Sequence, residues 1–316
     1  MLFVVIMAVS QTVCSSTDAP DDQSDPTGPA PRWAHQMTYD STARRMLLFG
    51  GAGVSGAYGD LWSWDGGTWT RLAEGGPPAR DAAVLVHDSR RNRTVLFGGR
   101  SASQNALSDT WEWNGSQWQQ LNATGPLPRV HAVGAYDANR GLTMVFGGIG
   151  DGNRFFNDTW SWNGDTWIKV DTTGPAMRAP HSMVFDKSRN TLYLFTARID
   201  VQPMMNDVWE WTGTSWQKNS SVPPAVEPIQ SLAPLGGGGI MLFYGGAQSA
   251  TAGETWRWDY TQWTKLTVLS PSARQGHGMA YDEARQRVVL FGGGSGSQRV
   301  GDTWEWDGAQ WRQENR

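Results

Sequence analysis

A ten-residue unit carrying three tryptophans recurs six times along this chain, and that repetition limits the fold more than any other feature. The copies occupy 60–69 (DLWSWDGGTW), 109–118 (DTWEWNGSQW), 158–167 (DTWSWNGDTW), 207–216 (DVWEWTGTSW), 254–263 (ETWRWDYTQW) and 302–311 (DTWEWDGAQW). Their first tryptophans stand 49, 49, 49, 47 and 48 residues apart, and eighteen of the nineteen tryptophans occupy the unit's three fixed places. Self-similarity at such a period means a repeat architecture whose units stack to share a core.

Two tryptophans separated by one residue point to the same side of an extended strand. The Asn-Gly, Asp-Gly or Thr-Gly pair that follows in most copies is turn chemistry for a position with positive φ, so the chain reverses and the third tryptophan opens another strand. A second hairpin precedes each copy. Its arms run from Tyr39-Asp40, His87-Asp88, Tyr136-Asp137 or Tyr281-Asp282 to an apolar strand ending in Gly-Gly at 50–51, 98–99, 147–148 or 292–293. The Asp starts the turn, and a nearby arginine (Arg44, Arg91, Arg140, Arg189, Arg285) is expected to pair back to it as a structural feature. Each unit is therefore four short antiparallel strands with no helix signal. An aromatic side chain carries about 150–250 Å² to be covered, more than one sheet can hide, and stacking the sheets around an axis covers it as a β-propeller.

A di-glycine after an apolar strand, then an acidic residue and spaced tryptophans, resembles the kelch repeat. The resemblance spans about residues 29–313 and implies an all-β, six-bladed kelch-type β-propeller, four antiparallel strands per blade, each blade continuous in sequence. The expected blades are about 31–73, 79–123, 128–172, 177–221, 225–267 and 272–313, within a propeller domain of 29–316. Two units depart from the pattern. Unit four has Thr196-Ala197 for the di-glycine, and unit five replaces the Tyr-Asp turn with Pro234-Leu235-Gly236-Gly237-Gly238-Gly239. Because the first unit opens on a first strand and the last ends on a fourth, blades one and six are expected to meet by face packing, without a strand borrowed from the other terminus.

Residues 1–28 differ from the rest. Residues 1–9 (MLFVVIMAV) are continuously apolar, and 15–31 form a polar Asp/Ser/Pro/Gly tract that cannot build a core. The apolar run is too short to span a bilayer and suits the central region of a secretory signal, though no Lys or Arg precedes it. Cys14 is the only cysteine, so an internal disulfide framework is excluded. Its place after the apolar run resembles a bacterial lipoprotein signal, without the usual small residue before it. A lipid anchor at Cys14 and a cleaved signal both stay open, and either exports the propeller. A secreted or lipid-anchored protein at the cell surface or in the periplasm is expected, without a transmembrane span and as a monomer. The balance of 26 basic and 30 acidic side chains argues against a nucleic-acid partner, which needs a basic surface.

Recognition on a propeller falls to variable loops on a rigid scaffold, here those between second and third strands. Onto the same face each first strand brings an arginine eighteen residues before the first di-glycine position: Arg32, Arg80, Arg129, Arg178 and Arg274, with Glu227 at that offset in unit five. Three residues later stand His35, His181 and His277. Trp33, the one tryptophan outside the repeat, lies beside Arg32. Such a crown could hold a carboxylate or phosphate through bidentate contacts, and ligand-binding kelch domains are similar in using arginines near this point. Those arginines could equally pair with aspartates or loop carbonyls of the blades. The histidines come from opposite and adjacent blades, which disfavours a shared metal, since zinc needs its ligands at about 2.0–2.1 Å from one point. No metal site and no cofactor are expected.

A copper site with a Tyr–Cys crosslink, as in galactose-oxidase-type propellers, is excluded because Cys14 lies outside the repeats. No phosphate-binding Gly-Lys-Ser/Thr loop, paired cysteines or nucleophile elbow offers another chemistry. The expectation is a non-catalytic binding module for a protein segment or a glycan. The alternative is a small-molecule or sugar-processing enzyme at the channel mouth, similar to mutarotase-like propellers, with Glu227 among the arginines. A carboxylate so placed has a lowered pKa and is a poor general acid.

Overall fold

The computed structural model describes residues 28–315 except 74, 173, 176–178, 199–204, 222, 225–230, 245–252 and 296, with the backbone alone at 179–181, 197, 198, 205, 206, 242, 244 and 295. Six antiparallel sheets follow one another, each built from four consecutive main strands. Blade one consists of Gln36–Asp40, Arg45–Phe49, Leu61–Trp64 and Trp69–Ala73. Blade six closes the chain with Gly278–Asp282, Arg287–Phe291, Thr303–Trp306 and Trp311–Glu314. Apart from a 3-10 turn at Asp151–Asn153, the described residues hold no helix, and none is long and apolar enough to cross a membrane. The architecture is the six-bladed propeller expected from the repeats.

The turn chemistry works as the sequence implies. Gly66, Gly115, Gly164, Gly213 and Gly308 all take φ between 101° and 107° in the third-to-fourth-strand hairpins, while Tyr260 holds φ 76° at that place in blade five. Asp40, Asp88, Asp137, Asp186 and Asp282 each accept one or two backbone N–H groups of the first hairpin. The paired arginine stands three residues on in Asp88–Arg91, Asp137–Arg140 and Asp282–Arg285, each at 2.7 Å. In blade one the expected partner Arg44 is replaced by Arg45 at 3.6 Å, because Ala43 occupies the third position. The di-glycine is required by close approach as well as by φ. A Cβ on Gly50 would lie 2.5 Å from the Arg80 carbonyl oxygen, and one on Gly51 2.7 Å from the His35 Cβ. Where blade four has Thr196-Ala197, no such kink forms and the ladder runs straight on through Thr196↔Asp207 and Ala197↔Asn206.

The core lies in the seams between blades. Every third tryptophan meets the phenylalanine that precedes the di-glycine position of the blade before it, at centroid distances of 5.1–6.0 Å: Trp69 on Phe291, Trp118 on Phe49, Trp167 on Phe97, Trp216 on Phe146, Trp263 on Phe195 and Trp311 on Phe243. Blade one joins blade six through the same contact, with no exchanged strand. Near the axis a girdle of backbone hydrogen bonds steps from blade to blade: Ala34 N to Gly276 O, Ala82 N to Ala34 O, and His131 N to Ala82 O. It crosses the closing seam as it crosses those between blades one and two and between two and three.

Candidate functional site

Each described arginine of the expected crown is bound into its own blade. Arg32 Nη1 and Nη2 grip the Asp60 carboxylate at 2.6 and 2.8 Å. Nη1 also donates to the Gly50 carbonyl at 3.0 Å, and Nε to the Ala30 carbonyl at 2.9 Å. Arg80 repeats this with Asp109, Gly98 and Pro78. Arg129 does so with Asp158, Gly147 and Leu127, and Arg274 with Asp302, Gly292 and Ser272. The four arginines are 0–2% exposed. Of the two arrangements the sequence leaves open, these four take the pairing with aspartates and loop carbonyls of their own blades. A guanidinium has five N–H groups in one plane, and the blade engages four or five of them.

The aspartates complete the arrangement. Each is the acidic residue that opens the tryptophan unit, and its second oxygen accepts the indole N–H of the first tryptophan at 2.6–2.8 Å in Trp62, Trp111, Trp160 and Trp304. Burial by itself raises the carboxyl pKa of Asp60, Asp109, Asp158 and Asp302. Hydrogen bonds and charge from the arginine outweigh it and hold each below the usual carboxylate range. A buried bidentate pair of this kind is a structural clamp between the first strand and the third.

The histidines are core residues. His35 accepts the Gly278 N–H at Nε2 (3.1 Å) and stands edge-on to Phe291, while His277 stands edge-on to Phe243. Each thus fills the seam toward the preceding blade. Burial, reinforced by Arg32 and His277, lowers the His35 pKa well below its ordinary value, and burial beside Arg274 pushes His277 down to about 3. Both are neutral at physiological pH. No group of three or more metal-binding side chains occurs among the described residues. Trp33 is half-buried, with the Arg299 guanidinium 4.4 Å above its ring, so that face is covered. Arg178, Glu227 and Cys14, and the side chain of His181, lie outside the described residues.

What remains exposed on the arginine side of the ring is loop. In blade two, the strands Arg93–Ser101 and Ala106–Trp113 form a hairpin with a neutral polar tip, Ser103-Gln104-Asn105. Blade three carries Arg154 and Phe155 beyond its 3-10 turn. Blade one presents Val54 at 84% exposure. The arginines anchor these loops from beneath, since Arg32 lies 4.0 Å from the Tyr58 ring centre and Arg129 4.2 Å from that of Phe156. The clamp was legible in the sequence. Every first-strand arginine is accompanied by an Asp opening the tryptophan unit, and where Glu227 replaces arginine the opening residue changes to Glu254.

Comparison with known proteins agrees with this architecture. The solved structure of YjhT matches with a TM-score of 0.67 at 16% identity, covering 92% of this chain and 99% of that one. At that identity the likeness concerns the fold. A search of curated proteins gives no match. The family model described as the KLHDC2/KLHL20/DRC7 Kelch-repeats domain matches residues 92–270, more than half of the chain. With six four-stranded blades, a di-glycine in the sequence of five of them and a tryptophan unit in all, the chain belongs to the kelch-repeat family.

Proposed function

We propose that this propeller is a non-catalytic interaction module that holds a protein segment on its variable-loop face. The observation that carries the reading is the occupation of Arg32, Arg80, Arg129 and Arg274 by internal partners. With those cations committed, the described part of that face offers a neutral polar tip in blade two and single exposed apolar and charged side chains such as Val54, Asp151 and Arg154. Such loops on a rigid scaffold suit recognition of a partner surface. The kelch-repeat membership supports the same class of role. The reading includes export, by a secretory signal or a lipid anchor in the first 28 residues.

The test is an array of peptides and glycans probed with the full chain, repeated with residues 102–105 replaced by Gly-Ser-Gly-Ser. Peptide binding that the replacement abolishes supports the proposal. Glycan binding alone would replace the protein partner with a carbohydrate one, and turnover of a sugar would restore the enzyme alternative. Arg80→Ala separates clamp from ligand contact. It is expected to cost about 3–5 kcal/mol in urea unfolding, because Asp109 is left charged and unpaired. A loss under about 1 kcal/mol, with weaker partner binding, would return the arginines to the ligand.

A further inference from the structure

The face opposite the variable loops carries the turns between first and second strands, and its charge is uneven. The turns of blades one and two hold five arginines within two short stretches, Arg44 and Arg45, then Arg90, Arg91 and Arg93, in a chain of net charge −4. Their acidic residues face inward. Asp40 is 4% and Asp88 0% exposed, and both are already hydrogen-bonded to turn N–H groups. Arg91 is taken by Asp88 and Glu112, and Arg45 lies near Asp40. Arg44, Arg90 and Arg93 form no ion pair among the described residues, and Arg44 and Arg90 are exposed.

The two turns are neighbours at their roots. His87 N donates to Thr38 Oγ1 at 3.2 Å, and His87 Nε2 lies 3.6 Å from Asp40 Oδ1. Arg90 reaches toward blade three, where a Cβ on Gly141 would meet its Nη1 at 2.8 Å. Arg140, one-third exposed, continues the row there. Between the arginines stand Ser41, Thr42, Ser89, Asn92 and Asn139, with no acidic and no large apolar side chain. Asp65 and Asp165, exposed carboxylates of blades one and three, belong to the third-to-fourth-strand turns instead. Blade six, which adjoins blade one, brings Glu283 beside the first of these turns, where Ala284 N donates to the Tyr39 hydroxyl at 3.2 Å, but that carboxylate is taken by Lys187 of blade four at 2.6 Å.

We propose that Arg44, Arg90 and Arg93 form a docking surface for an acidic, carboxylate-rich protein segment on blades one to three. Guanidinium groups match carboxylates in bidentate geometry, and the short hydroxyl and amide side chains between them suit an extended backbone. No exposed large apolar side chain stands in these turns to enter a bilayer, and the acidic balance of the whole chain disfavours nucleic acid. This surface does not depend on what the variable-loop face binds. With both occupied, the propeller bridges two partners.

Fluorescence anisotropy of a labelled oligoglutamate with the full chain tests it. Binding should weaken as salt rises and fall at least about tenfold in Arg44→Glu/Arg90→Glu/Arg93→Glu, with thermal unfolding unchanged. The milder triple Gln variant should give an intermediate loss, which keeps the test valid if charge reversal impairs folding. Arg154→Glu, on the other face, should bind as the parent does. Equal binding by parent and Gln variant, or no binding at low salt, overturns the proposal. Binding to anionic lipid vesicles or RNA without binding to oligoglutamate also overturns it, assigning the surface to that other anion.

Discussion

The seam between blades two and three and the seam between blades one and two share the same apolar contact and the same backbone bonds, and differ in the partners of their indole N–H groups. In the first, Trp162 donates to Glu112 and Trp167 to Thr110. In the second, Trp113 and Trp118 occupy the same two places, but the preceding blade presents Ser63 and Leu61, and neither indole N–H finds an acceptor among the described residues. The closing seam, from blade six to blade one, is of the satisfied kind, with Trp64 on Glu305 and Trp69 on Thr303. The seam from four to five is of the other, since Trp263 faces the blade carrying Val208 and Glu210 is bonded to Asn219 instead of Trp258. Third tryptophans with a threonine partner (Trp69, Trp167, Trp216, Trp311) are buried, while Trp118 and Trp263 are only half-buried. Face packing thus makes the ring, and one residue, the Thr after the opening Asp, draws the next blade's indole fully in. A chain without strand exchange has placed complete polar pairing at its point of closure.

This contrast can be broken most severely at the tryptophans. Trp162→Ala should cost about 3–5 kcal/mol as a core truncation, and Trp113→Ala less, because no bonded Glu is stranded beside it. Equal losses in urea melts would show that the hydrogen bonds add nothing. Glu112→Ala should cost about 2–3 kcal/mol, since it releases Arg91 and the Trp162 N–H together, whereas Ser63→Ala should stay within about 0.5 kcal/mol.

Acid tests the seam between blades five and six, which His277 fills against Phe243. The folded His277 pKa is about 3, while an unfolded histidine titrates near 6.5, so the unfolded chain binds more protons between these values. Stability is then complete above about pH 6.5 and falls on acidification, by about 2 kcal/mol for this residue at pH 5. His277→Gln should flatten the curve between pH 7 and 5, and an unchanged slope would remove the histidine from the account. The smallest expected effect is Val208→Thr, which offers the Trp263 N–H an acceptor and should stabilise by up to about 1 kcal/mol. Destabilisation would mean that this seam is spaced differently from the satisfied ones.

The architecture was readable because its signal is repeated. Six tryptophan units and five di-glycines leave little freedom in strand number, order or facing. The arginines stayed ambiguous in the sequence because an offset of eighteen residues locates a side chain at a blade's end without showing whether it points outward or folds back. Their pairing with the opening Asp is written in the same repeats, but only as a joint change, Arg32 with Asp60 in one unit and Glu227 with Glu254 in another. Blade five shows the limit. Without a turn glycine, Tyr260 takes the left-handed position and hydrogen-bonds Asp186 of blade four, while Arg189 lies 3.9 Å from its ring centre. A local substitution has been absorbed by a contact between neighbours that no single repeat encodes.

The backbone girdle around the axis gives the molecule no natural beginning. Ala34 meets Gly276 through the same N–H to carbonyl bond by which Ala82 meets Ala34, although in one case the residues are far apart in the chain and in the other close. Because these bonds involve no side chain, the connectors between blades one and two and between two and three are places to cut and rejoin equivalent to the present ends. A gene reopened between blades two and three, with its old ends linked, would describe the same closed circle from a different starting point.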